Sequence, residues 1–361
     1  MSIGLRARGS GMLEGAARFL ILASDMKILV TMRLTDRQRA LIQEASGGAE
    51  ILEGFSPFEP QRMEPALADC DVMVTFRVPA ALASKAPKLK WIHLMSAGVE
   101  HALAAGVFEL PGLLLTNSSG IHGTTIGEYI LGSMLAYAHQ LHLPLRAQQR
   151  HEWLPNRYFM KTVFDLRGKT VGIVGYGSIG RETARLAQAF GMEVLALKRN
   201  PHDRADPGWC PAGVGDPQGM IPQRWFGPAE RIELMQLSDF VVVTLPLTAE
   251  TRHFLGAREF AVARPKAYVV NVGRGEVIDQ DALIEALKSG KLGGAGLDVT
   301  TPEPLDTQSP LWDIENVLLT PHISGAKQGY NEEACQVFVE NLRRWKAGRP
   351  MLNLVDRTRG Y

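Results

Sequence analysis

The sequence has few cysteines, almost no net charge and no long hydrophobic run, and each shortage excludes a class of protein. Only three cysteines occur among 361 residues, at Cys70, Cys210 and Cys335, with no Cys-x-x-Cys pair to suggest structural zinc or a dithiol redox centre. Isolated thiols fit a reducing compartment, so we expect a cytoplasmic protein. The formal net charge of +1 gives no general attraction to nucleic acid or to an anionic membrane. No apolar run approaches the roughly 18 residues that span a bilayer.

The chain also lacks the usual signatures of metal enzymes and of acyl-transfer enzymes. His139 and His142 are three residues apart, but neither an HExxH sequence nor a second ligand pair accompanies them. We therefore interpret them as packing or interface residues and predict no metal site. A Gly-x-Ser-x-Gly nucleophile elbow is likewise missing from the sequence.

What the chain does contain is a repeated alternation of short apolar runs with helical stretches. Four such runs, among them KILVTM and DVMVTF, precede residue 120, and six more follow residue 169. This pattern is typical of parallel sheets covered by helices on both faces. We predict an α/β protein with two doubly wound, Rossmann-like domains.

The two sets of apolar runs suggest where these domains begin and end. Residues 1–25 are predicted to be an N-terminal extension, because Met26 directly precedes the first strand-like run. A flavodoxin-like substrate domain is expected over residues 26–125, completed by the last helix within 322–361. The dinucleotide-binding domain is then expected over residues 126–321.

Two stretches depart from the alternating rhythm. TIGEYILGSMLAYAHQLHLPLRAQQR is predicted to be one long amphipathic helix that Pro144 halts or kinks. Such a helix either bridges two domains or forms a subunit interface. Residues 201–228 carry proline and glycine throughout, which excludes regular helix or strand, and so long a loop is either functional or disordered.

A glycine-rich motif, Gly175-x-Gly177-x-x-Gly180, directly follows the apolar run TVGIV and opens a helical stretch. In this context the first glycine permits a tight turn, the second lets a pyrophosphate approach the backbone, and the third lets the helix press on its strand. The helix amino terminus then offers N–H groups and a partial positive charge to the phosphates. We therefore predict a dinucleotide site formed by the whole loop: Gly175, Tyr176, Gly177, Ser178, Ile179 and Gly180.

The residues at the tip of the next strand bear on which dinucleotide binds. An acidic residue about 20 positions past the glycines accepts hydrogen bonds from the ribose 2′-hydroxyl of NAD. Here the run EVLAL ends in Lys198 and Arg199, which cannot accept those bonds but can bind a 2′-phosphate. We predict NADP as the cofactor. A solvated basic turn, with NAD as the cofactor, is the alternative.

Further motifs make a family resemblance visible. They are MSAGVEH, NSSGIHGTTIGEY, VGIVGYGSIGR, TLPLTAET, NVGRGEVID, GLDVTTPEP and TPHISG. With these motifs the sequence resembles the D-isomer-specific 2-hydroxyacid dehydrogenase family, and within it glyoxylate/hydroxypyruvate reductases, from Met26 to Leu354. Residues 1–25 and 201–228 fall outside the resemblance.

The resemblance places the catalytic residues of the family at Arg274, Glu303 and His322. Reduction of a 2-keto acid needs a hydride for the carbonyl carbon and a proton for its oxygen. Arg274 would hold the substrate carboxylate and polarise the carbonyl, and His322 would donate the proton near neutral pH. Glu303 would orient the imidazole ring and favour its protonated form. We expect the flanking Gly273 and Gly275 to leave room for cofactor and substrate.

Other positions follow from the resemblance with a less defined role. The backbone amides that hold the substrate carboxylate in the family fall on Ala97 and Gly98, and His122 occupies either a substrate-side position or only a packing one. The residues expected along the cofactor are Leu245, Pro246 and Thr251 on its adenosine side, and Val272, Gly273 and Asp298 near its nicotinamide. Asp298 would bond the carboxamide or, alternatively, stabilise its own turn.

These residues together predict an oxidoreductase that transfers a hydride between NADPH and a small 2-keto acid, such as glyoxylate or hydroxypyruvate, to give the D-2-hydroxy acid. One alternative is an NAD-linked D-2-hydroxyacid dehydrogenase, and another is a cofactor-sensing, corepressor-like binding protein. The resemblance implies a homodimer formed through the helix near residues 125–150. Because the loop over 201–228 follows the basic strand tip, we expect it to cover the adenosine end of the cofactor. Its deletion would then weaken cofactor binding more than folding.

Overall fold

Two parallel β-sheets organise the chain, one in each of two units. The computed structural model describes residues 25–56, 58–79 and 82–357. The predicted extension over residues 1–25 therefore lies, except for Asp25, outside the described residues. Within the described ranges, no helix is both long enough and apolar enough to cross a membrane.

The two units divide the chain at different places from those that the sequence suggested. The first unit combines residues up to 118 with those from 334 onward, and the second unit spans 119–333. The sequence had suggested boundaries at 125/126 and 321/322. As a result His322 lies in the second unit, together with Arg274 and Glu303, and not in the unit that carries the last helix.

The first unit contains a five-stranded sheet. Its strands are β1 (Lys27–Val30), β2 (Glu50–Leu52), β3 (Val72–Thr75), β4 (Trp91–Leu94) and β5 (Leu114–Asn117). Its helices are α1 (Asp36–Ser46), α2 (Pro60–Asp69), α3 (Leu82–Lys85), α4 (Glu100–Ala104) and most of α12 (Tyr330–Lys346). All strand pairs are parallel, in the order β2-β1-β3-β4-β5. This is the flavodoxin-like order, which confirms the predicted fold of this part of the chain.

Aromatic packing explains why the last helix covers this sheet. The Trp91 ring on β4 lies 5.1 Å from the Phe338 ring and 5.6 Å from the Trp345 ring, centre to centre. The indole N–H of Trp91 donates to the Thr116 hydroxyl at 2.8 Å, so its polar atom is satisfied inside the core. The helix therefore packs on one face of the sheet at β4, although it lies far along the chain.

The second unit contains a seven-stranded parallel sheet. Its strands are β6 (Thr170–Val174), β7 (Glu193–Leu197), β8 (Arg224–Phe226), β9 (Phe240–Val243), β10 (Ala267–Asn271), β11 (Leu292–Leu297) and β12 (Val317–Leu319). Its helices are α5 (Gly123–Ala138), α6 (His142–Gln149), α7 (Asn156–Thr162), α8 (Ser178–Ala189), α9 (Arg231–Leu237), α10 (Ala257–Val262) and α11 (Gln280–Lys288). The strand order is β12-β11-β10-β9-β6-β7-β8, so the chain reverses direction across the sheet between β6 and β9. This confirms a second doubly wound domain, with its topological switch point beside β6.

Two strands were not recognised in the sequence. Both β2 and β8 are three residues long and lie at the edge of their sheets. The exclusion of regular structure from residues 201–228 is wrong at β8, which pairs with β7 from Arg224 opposite Leu195 to Phe226 opposite Leu197. A short run next to turns carries little periodic signal, and its extended conformation depends on the strand beside it.

The predicted long helix is two helices. The break between α5 and α6 lies at Gln140, whose φ of 54° is left-handed, and not at Pro144. Pro144 stands in the first turn of α6, where its missing N–H costs no intrahelical hydrogen bond. The apolar side of α5, including Ile130 and Met134, is buried in the core of the second unit.

Candidate active site

The predicted functional residues of the second unit gather at one edge of its sheet. The neighbouring strands β6, β9, β10 and β11 are followed directly by Gly175, Thr244, Val272 and Asp298. Because the strands are parallel, these four positions lie side by side at the carboxyl edge. This edge, at a topological switch point, is where doubly wound folds bind ligands.

The three glycines of the phosphate loop differ in their backbone conformation and in the atoms that surround them. Gly175 has a φ of 105°, and a Cβ added at Gly180 would lie 2.3 Å from the carbonyl oxygen of Gly175. The protein's own backbone therefore requires glycine at both positions. A Cβ at Gly177 would meet no protein atom within 4 Å, and this residue precedes the first turn of α8. The loop thus fits a dinucleotide whose pyrophosphate approaches the backbone of Gly177 and the N–H groups of α8.

The side chain of Tyr176 is not available to a ligand. It is 2% exposed, and its hydroxyl donates to the Asp216 carboxylate at 2.8 Å. Burial and this bond raise the pKa of the Tyr176 hydroxyl far above its ordinary value, so it remains a donor. Only the backbone of Tyr176 can serve a cofactor, whereas Ser178 and Ile179 in the first turn of α8 are half-buried.

The loop after β9 closes on itself beside the phosphate loop. The Thr251 hydroxyl donates to the carbonyl of Pro246 at 2.6 Å and accepts from the N–H of Thr248 at 2.7 Å. A Cβ at Gly273 would lie 2.6 Å from the carbonyl oxygen of Leu245. Thr251 therefore shapes the loop that carries Leu245 and Pro246, and their contacts with adenosine stay a prediction.

The two cations at the tip of β7 differ in their surroundings. The Lys198 ammonium donates to the backbone carbonyl of Asp203 and lies 3.8 Å from its carboxylate. Burial lowers the pKa of Lys198, and the charge of Asp203 opposes that effect. Arg199 is exposed, and its charge adds to a hydrogen bond from Thr248 in lowering the pKa of Glu250. Lys198 is thus tied to the segment that follows it, while Arg199 lies near the loop after β9.

Backbone packing brings the Arg274 loop against the loop after β11. A Cβ at Gly275 would lie 2.0 Å from the carbonyl oxygen of Thr300, and a Cβ at Gly273 would strike the loop after β9. Close contact between loops, and not room for a ligand as the sequence suggested, therefore requires these glycines. The Asn271 amide donates to the carbonyl of Arg274 at 3.1 Å, and the Arg274 guanidinium donates to the carbonyl of Gly273 at 2.9 Å.

Glu303 and His322 form a hydrogen-bonded pair. The imidazole Nδ1 lies 2.9 Å from one carboxylate oxygen of Glu303, and the other oxygen accepts from the N–H of Thr300 at 3.2 Å. A carboxylate can only accept, so Nδ1 carries the hydrogen and Nε2 is the nitrogen left for proton transfer with a substrate. Both side chains are partly exposed, which keeps the pair accessible.

A buried carboxylate holds the turn that carries His322. Asp298 is 1% exposed and accepts hydrogen bonds from the Thr320 hydroxyl at 2.6 Å, the N–H of Ile323 at 2.8 Å and the N–H of Ser324 at 2.9 Å. Its own carbonyl accepts from the N–H of His322 at 2.9 Å. These bonds hold the turn on both sides of His322, whose φ of 55° is uncommon for a residue with a side chain. The turn-stabilising interpretation of Asp298 therefore has direct support, and its contact with nicotinamide stays a prediction.

His122 packs within the second unit. Its ring lies 5.2 Å from the Tyr330 ring, and a Cβ at Gly325 would approach it to 3.0 Å. Burial and the nearby charge of Lys327 lower the pKa of His122 to about 4, with Glu333 acting in the opposite direction. A ring that is neutral at pH 7 supplies no charge to a substrate anion, so the packing interpretation has the better support.

The two remaining predicted residues belong to the first unit. Ala97 and Gly98 follow β4, and their carbonyls accept from the Asn117 amide at 2.8 Å and the Ser96 hydroxyl at 2.8 Å. These bonds hold the loop in one conformation at the carboxyl end of the flavodoxin-like sheet. The role of its amides in binding a carboxylate stays a prediction.

Further hydrogen bonds support the loops that carry Glu303 and His322, and no sequence motif indicated them. The Tyr129 hydroxyl on α5 lies 2.7 Å from the Thr320 hydroxyl, which in turn donates to Asp298. The Gln280 amide clamps Thr301 by donating to its carbonyl at 2.6 Å and accepting its N–H at 2.9 Å. Tyr129 and Thr320 are far apart along the chain, and no local motif joins them.

Comparison with known proteins agrees with this geometry. The profile of a family described as "D-isomer specific 2-hydroxyacid dehydrogenase, NAD binding domain" matches residues 131–324. Glyoxylate reductase from Thermococcus gammatolerans is 33% identical over 301 residues, which cover 80% of this chain and 84% of that protein.

Two solved structures extend the comparison over nearly the whole chain. A D-isomer specific 2-hydroxyacid dehydrogenase from Xanthobacter autotrophicus, in complex with NADPH and MES, has a TM-score of 0.73 at 27% identity and covers 94% of this chain and 100% of its own. An NADPH-dependent glyoxylate/hydroxypyruvate reductase from Sinorhizobium meliloti, in complex with NADP and sulfate, has a TM-score of 0.72 at 27% identity and covers 93% and 100%.

A dinucleotide cradle beside a carboxylate–imidazole pair, at the carboxyl edge of a doubly wound sheet, is the arrangement of a nicotinamide-dependent oxidoreductase. The chain belongs to the D-isomer-specific 2-hydroxyacid dehydrogenase family. The resemblance inferred from the sequence motifs is thereby confirmed, as is dependence on a nicotinamide dinucleotide.

The bonds of Asp298 lead to a testable expectation. Replacing Asp298 with Asn should lower the free energy of unfolding of the cofactor-free protein by about 1–3 kcal/mol, because an amide nitrogen cannot accept one of the three hydrogen bonds. Urea unfolding measures the change, and Asp313→Asn, at an exposed aspartate, is the matched control. Unchanged stability combined with weaker cofactor binding would show that the carboxylate serves the cofactor and not the turn.

Proposed function

We propose that this enzyme reduces small 2-keto acids, foremost glyoxylate and hydroxypyruvate, to 2-hydroxy acids with NADPH, and that the product has the D configuration wherever its C2 is a stereocentre. The observation that carries the proposal is the Glu303–His322 pair at the carboxyl edge that also bears the phosphate loop. The substrate class is supported by relatives described as glyoxylate reductase and as glyoxylate/hydroxypyruvate reductase.

Each side chain has one task in the proposed reaction. Arg274 binds the substrate carboxylate through its planar guanidinium and draws charge from the adjacent carbonyl. His322 transfers a proton from Nε2 to the carbonyl oxygen, while Glu303 keeps the ring in one orientation and stabilises its positive charge. The nicotinamide, when bound, would supply a hydride for the carbonyl carbon. His322 supplies the proton that completes the hydroxyl group, and in oxidation it accepts that proton instead.

A panel of 2-keto acids assayed with NADPH and with NADH tests this proposal. We expect turnover of glyoxylate and hydroxypyruvate, and the D configuration in glycerate formed from hydroxypyruvate. His322→Gln should lower kcat by about 100- to 10,000-fold, because it removes the general acid. His139→Gln, at an exposed histidine outside this site, should leave kcat unchanged. Cofactor binding without turnover of any 2-keto acid would instead support a cofactor-sensing binding protein.

The preference for NADPH is proposed to depend on Arg199. Lys198 already donates to the carbonyl of Asp203, so a 2′-phosphate would compete for its ammonium with the protein's own backbone. Arg199 is exposed near the loop that contains Glu250, on the side where we place adenosine. A guanidinium can bind a phosphate with two parallel hydrogen bonds.

The two cations can be separated by single substitutions. Arg199→Ala should lower kcat/KM for NADPH by about 10- to 100-fold through the loss of charged hydrogen bonds, and leave that for NADH nearly unchanged. Lys198→Ala should affect both cofactors alike, because it loosens the segment after β7. If Arg199→Ala leaves the ratio of the two kcat/KM values as it was, the proposed NADPH preference is wrong.

We propose a homodimer, with its interface on α6 and α7 and the link between them. The apolar side of α5 is buried in the core of its own unit and is not available to a partner. We therefore place the interface at residues 141–160 and not at the predicted residues 125–150. That stretch exposes Trp153 by 98% and Met160 by 82%, and further exposed apolar side chains are Leu141, Leu145 and Tyr158. Several large apolar side chains exposed within one short stretch are typical of a protein interface, and contact with a second copy across a two-fold axis would cover this stretch on both chains.

The oligomeric state of an interface variant tests the dimer. We expect light scattering after size exclusion to give twice the chain mass for the native protein. The double substitution Trp153→Ser and Met160→Ser should shift the protein towards the chain mass, because it removes two large apolar contacts. Met220→Ser, at a methionine that is 81% exposed elsewhere, is the matched control. A variant that keeps the native mass would remove this interface from consideration.

A further inference from the structure

Residues 201–223, which form most of the connection between β7 and β8, are part of the folded second unit. We call them the connecting segment. The segment contains none of the family motifs found in the sequence, and its residues make hydrogen bonds with the phosphate loop and with α8. These bonds involve charged groups that are almost completely buried. Because burial of a charge is costly unless it has partners, the segment contributes to the stability of the fold.

Buried charges on the first turns of α8 depend on the connecting segment. The Arg181 guanidinium is 3% exposed and donates to the carbonyls of Asp216 at 2.5 Å and Arg204 at 2.7 Å. It also lies 3.2 Å from the Asp206 carboxylate. The fully buried Glu182 carboxylate accepts from the N–H of Gly215 at 2.6 Å.

These contacts imply that deletion of the segment would destabilise the fold. Without the segment, Arg181 and Glu182 would lose partners that compensate for their burial, and an uncompensated buried charge is strongly destabilising. The sequence-based expectation that deletion affects cofactor binding more than folding is therefore replaced. Single side-chain changes, and not deletion, are needed to reveal any role in binding.

One side chain of the segment reaches the phosphate loop itself. Asp216 is 6% exposed, and its carboxylate accepts from the Tyr176 hydroxyl at 2.8 Å, the N–H of Met220 at 2.8 Å and the N–H of Ile221 at 3.0 Å. The Tyr176 ring meets the Trp225 ring edge-on at 4.9 Å. Tyr176 is thereby held at both its ring and its hydroxyl.

The position of Tyr176 gives this anchor its importance. It stands between Gly175 and Gly177, the two residues of the loop with the greatest backbone freedom. A loop with such neighbours would lose conformational entropy when its N–H groups align on a pyrophosphate. An anchor that restricts the loop beforehand lowers that cost and raises affinity.

We propose that the connecting segment braces the phosphate loop, and that Asp216 is the positioning residue that holds its amides ready for the cofactor's pyrophosphate. The inference rests on the binding of a nicotinamide dinucleotide and not on the proposed substrate or on the preference for NADPH. Because NADPH and NADH share the pyrophosphate, the brace acts on both cofactors equally.

Fluorescence titration of NADPH and NADH against three variants tests the brace. Tyr176→Phe removes only the hydroxyl and keeps the ring packing. It should raise the Kd of both cofactors by about three- to tenfold. Asp216→Ala, which leaves no acceptor for the Tyr176 hydroxyl, should raise both Kd values at least as much. The double variant should bind no more weakly than Asp216→Ala alone, because the bond between the two side chains is already lost in that variant.

Hydrogen exchange supplies a second readout, because coupling between two sites is reciprocal. Addition of either cofactor should slow exchange at the amides of Met220 and Ile221, which bond to Asp216. Tyr158→Phe, at a half-exposed tyrosine on α7, is the matched control and should change neither Kd nor exchange.

Three results would overturn the proposal. They are a native Kd in folded Tyr176→Phe, a loss confined to NADPH, and full additivity of the two single substitutions. The first would leave the bond with a structural role only, and the second would place the effect at the 2′-phosphate. If Asp216→Ala fails to fold, Tyr176→Phe still decides the question. If none of the 2-keto acids in the assay were turned over, the test of the brace would still be valid, because the Kd of the cofactor is measured without substrate.

Discussion

One buried carboxylate fixes the geometry on which the rest of the catalytic edge depends. Asp298 directly follows β11, and it accepts three hydrogen bonds from the turn that carries His322. A carboxylate removed from water needs such partners, and here they all belong to a single turn. The bonds on either side of His322 hold its backbone in the left-handed conformation and so offset the strain of that conformation. Asp298 thereby determines the position of the His322 imidazole, which is the proton donor in the proposed reaction.

The other loops of this edge are placed by backbone contact. At Gly180 and Gly275 an added Cβ would strike a carbonyl oxygen within 2.3 Å, so strand and helix, or loop and loop, meet without side chains between them. Such contacts leave little freedom, which is what a site for hydride transfer needs, since reacting atoms must meet at a fixed distance. Gly177 differs, because an added Cβ there would meet no atom of the described residues within 4 Å. Its lack of a side chain suits a ligand.

Buried charge has a similar organising role around α8. Arg181, Glu182 and Asp216 are each nearly inaccessible to water, and each has partners on the neighbouring element. In contrast, exposed ion pairs such as Arg150 with Glu152 contribute little to stability. The long proline- and glycine-rich connection is therefore held in place by its hydrogen bonds with buried charged groups. It is a structural part of the domain although its sequence lacks the pattern of a helix or a strand.

The fold class and the family followed from local patterns in the sequence, and the same patterns predicted the dinucleotide cradle and the catalytic residues Arg274, Glu303 and His322. Apolar runs, helical stretches and glycine spacing are local signals, and parallel strands necessarily bring their carboxyl ends to one edge. The tertiary structure was needed to show that β8 is a strand, that the break between α5 and α6 lies at Gln140, and that Tyr129, Thr320 and Asp298 form one network. It also decided that Lys198 and Tyr176 bond to the protein's own segment. Those features arise between residues distant along the chain or at sheet edges, where a neighbour and not the local sequence selects the conformation.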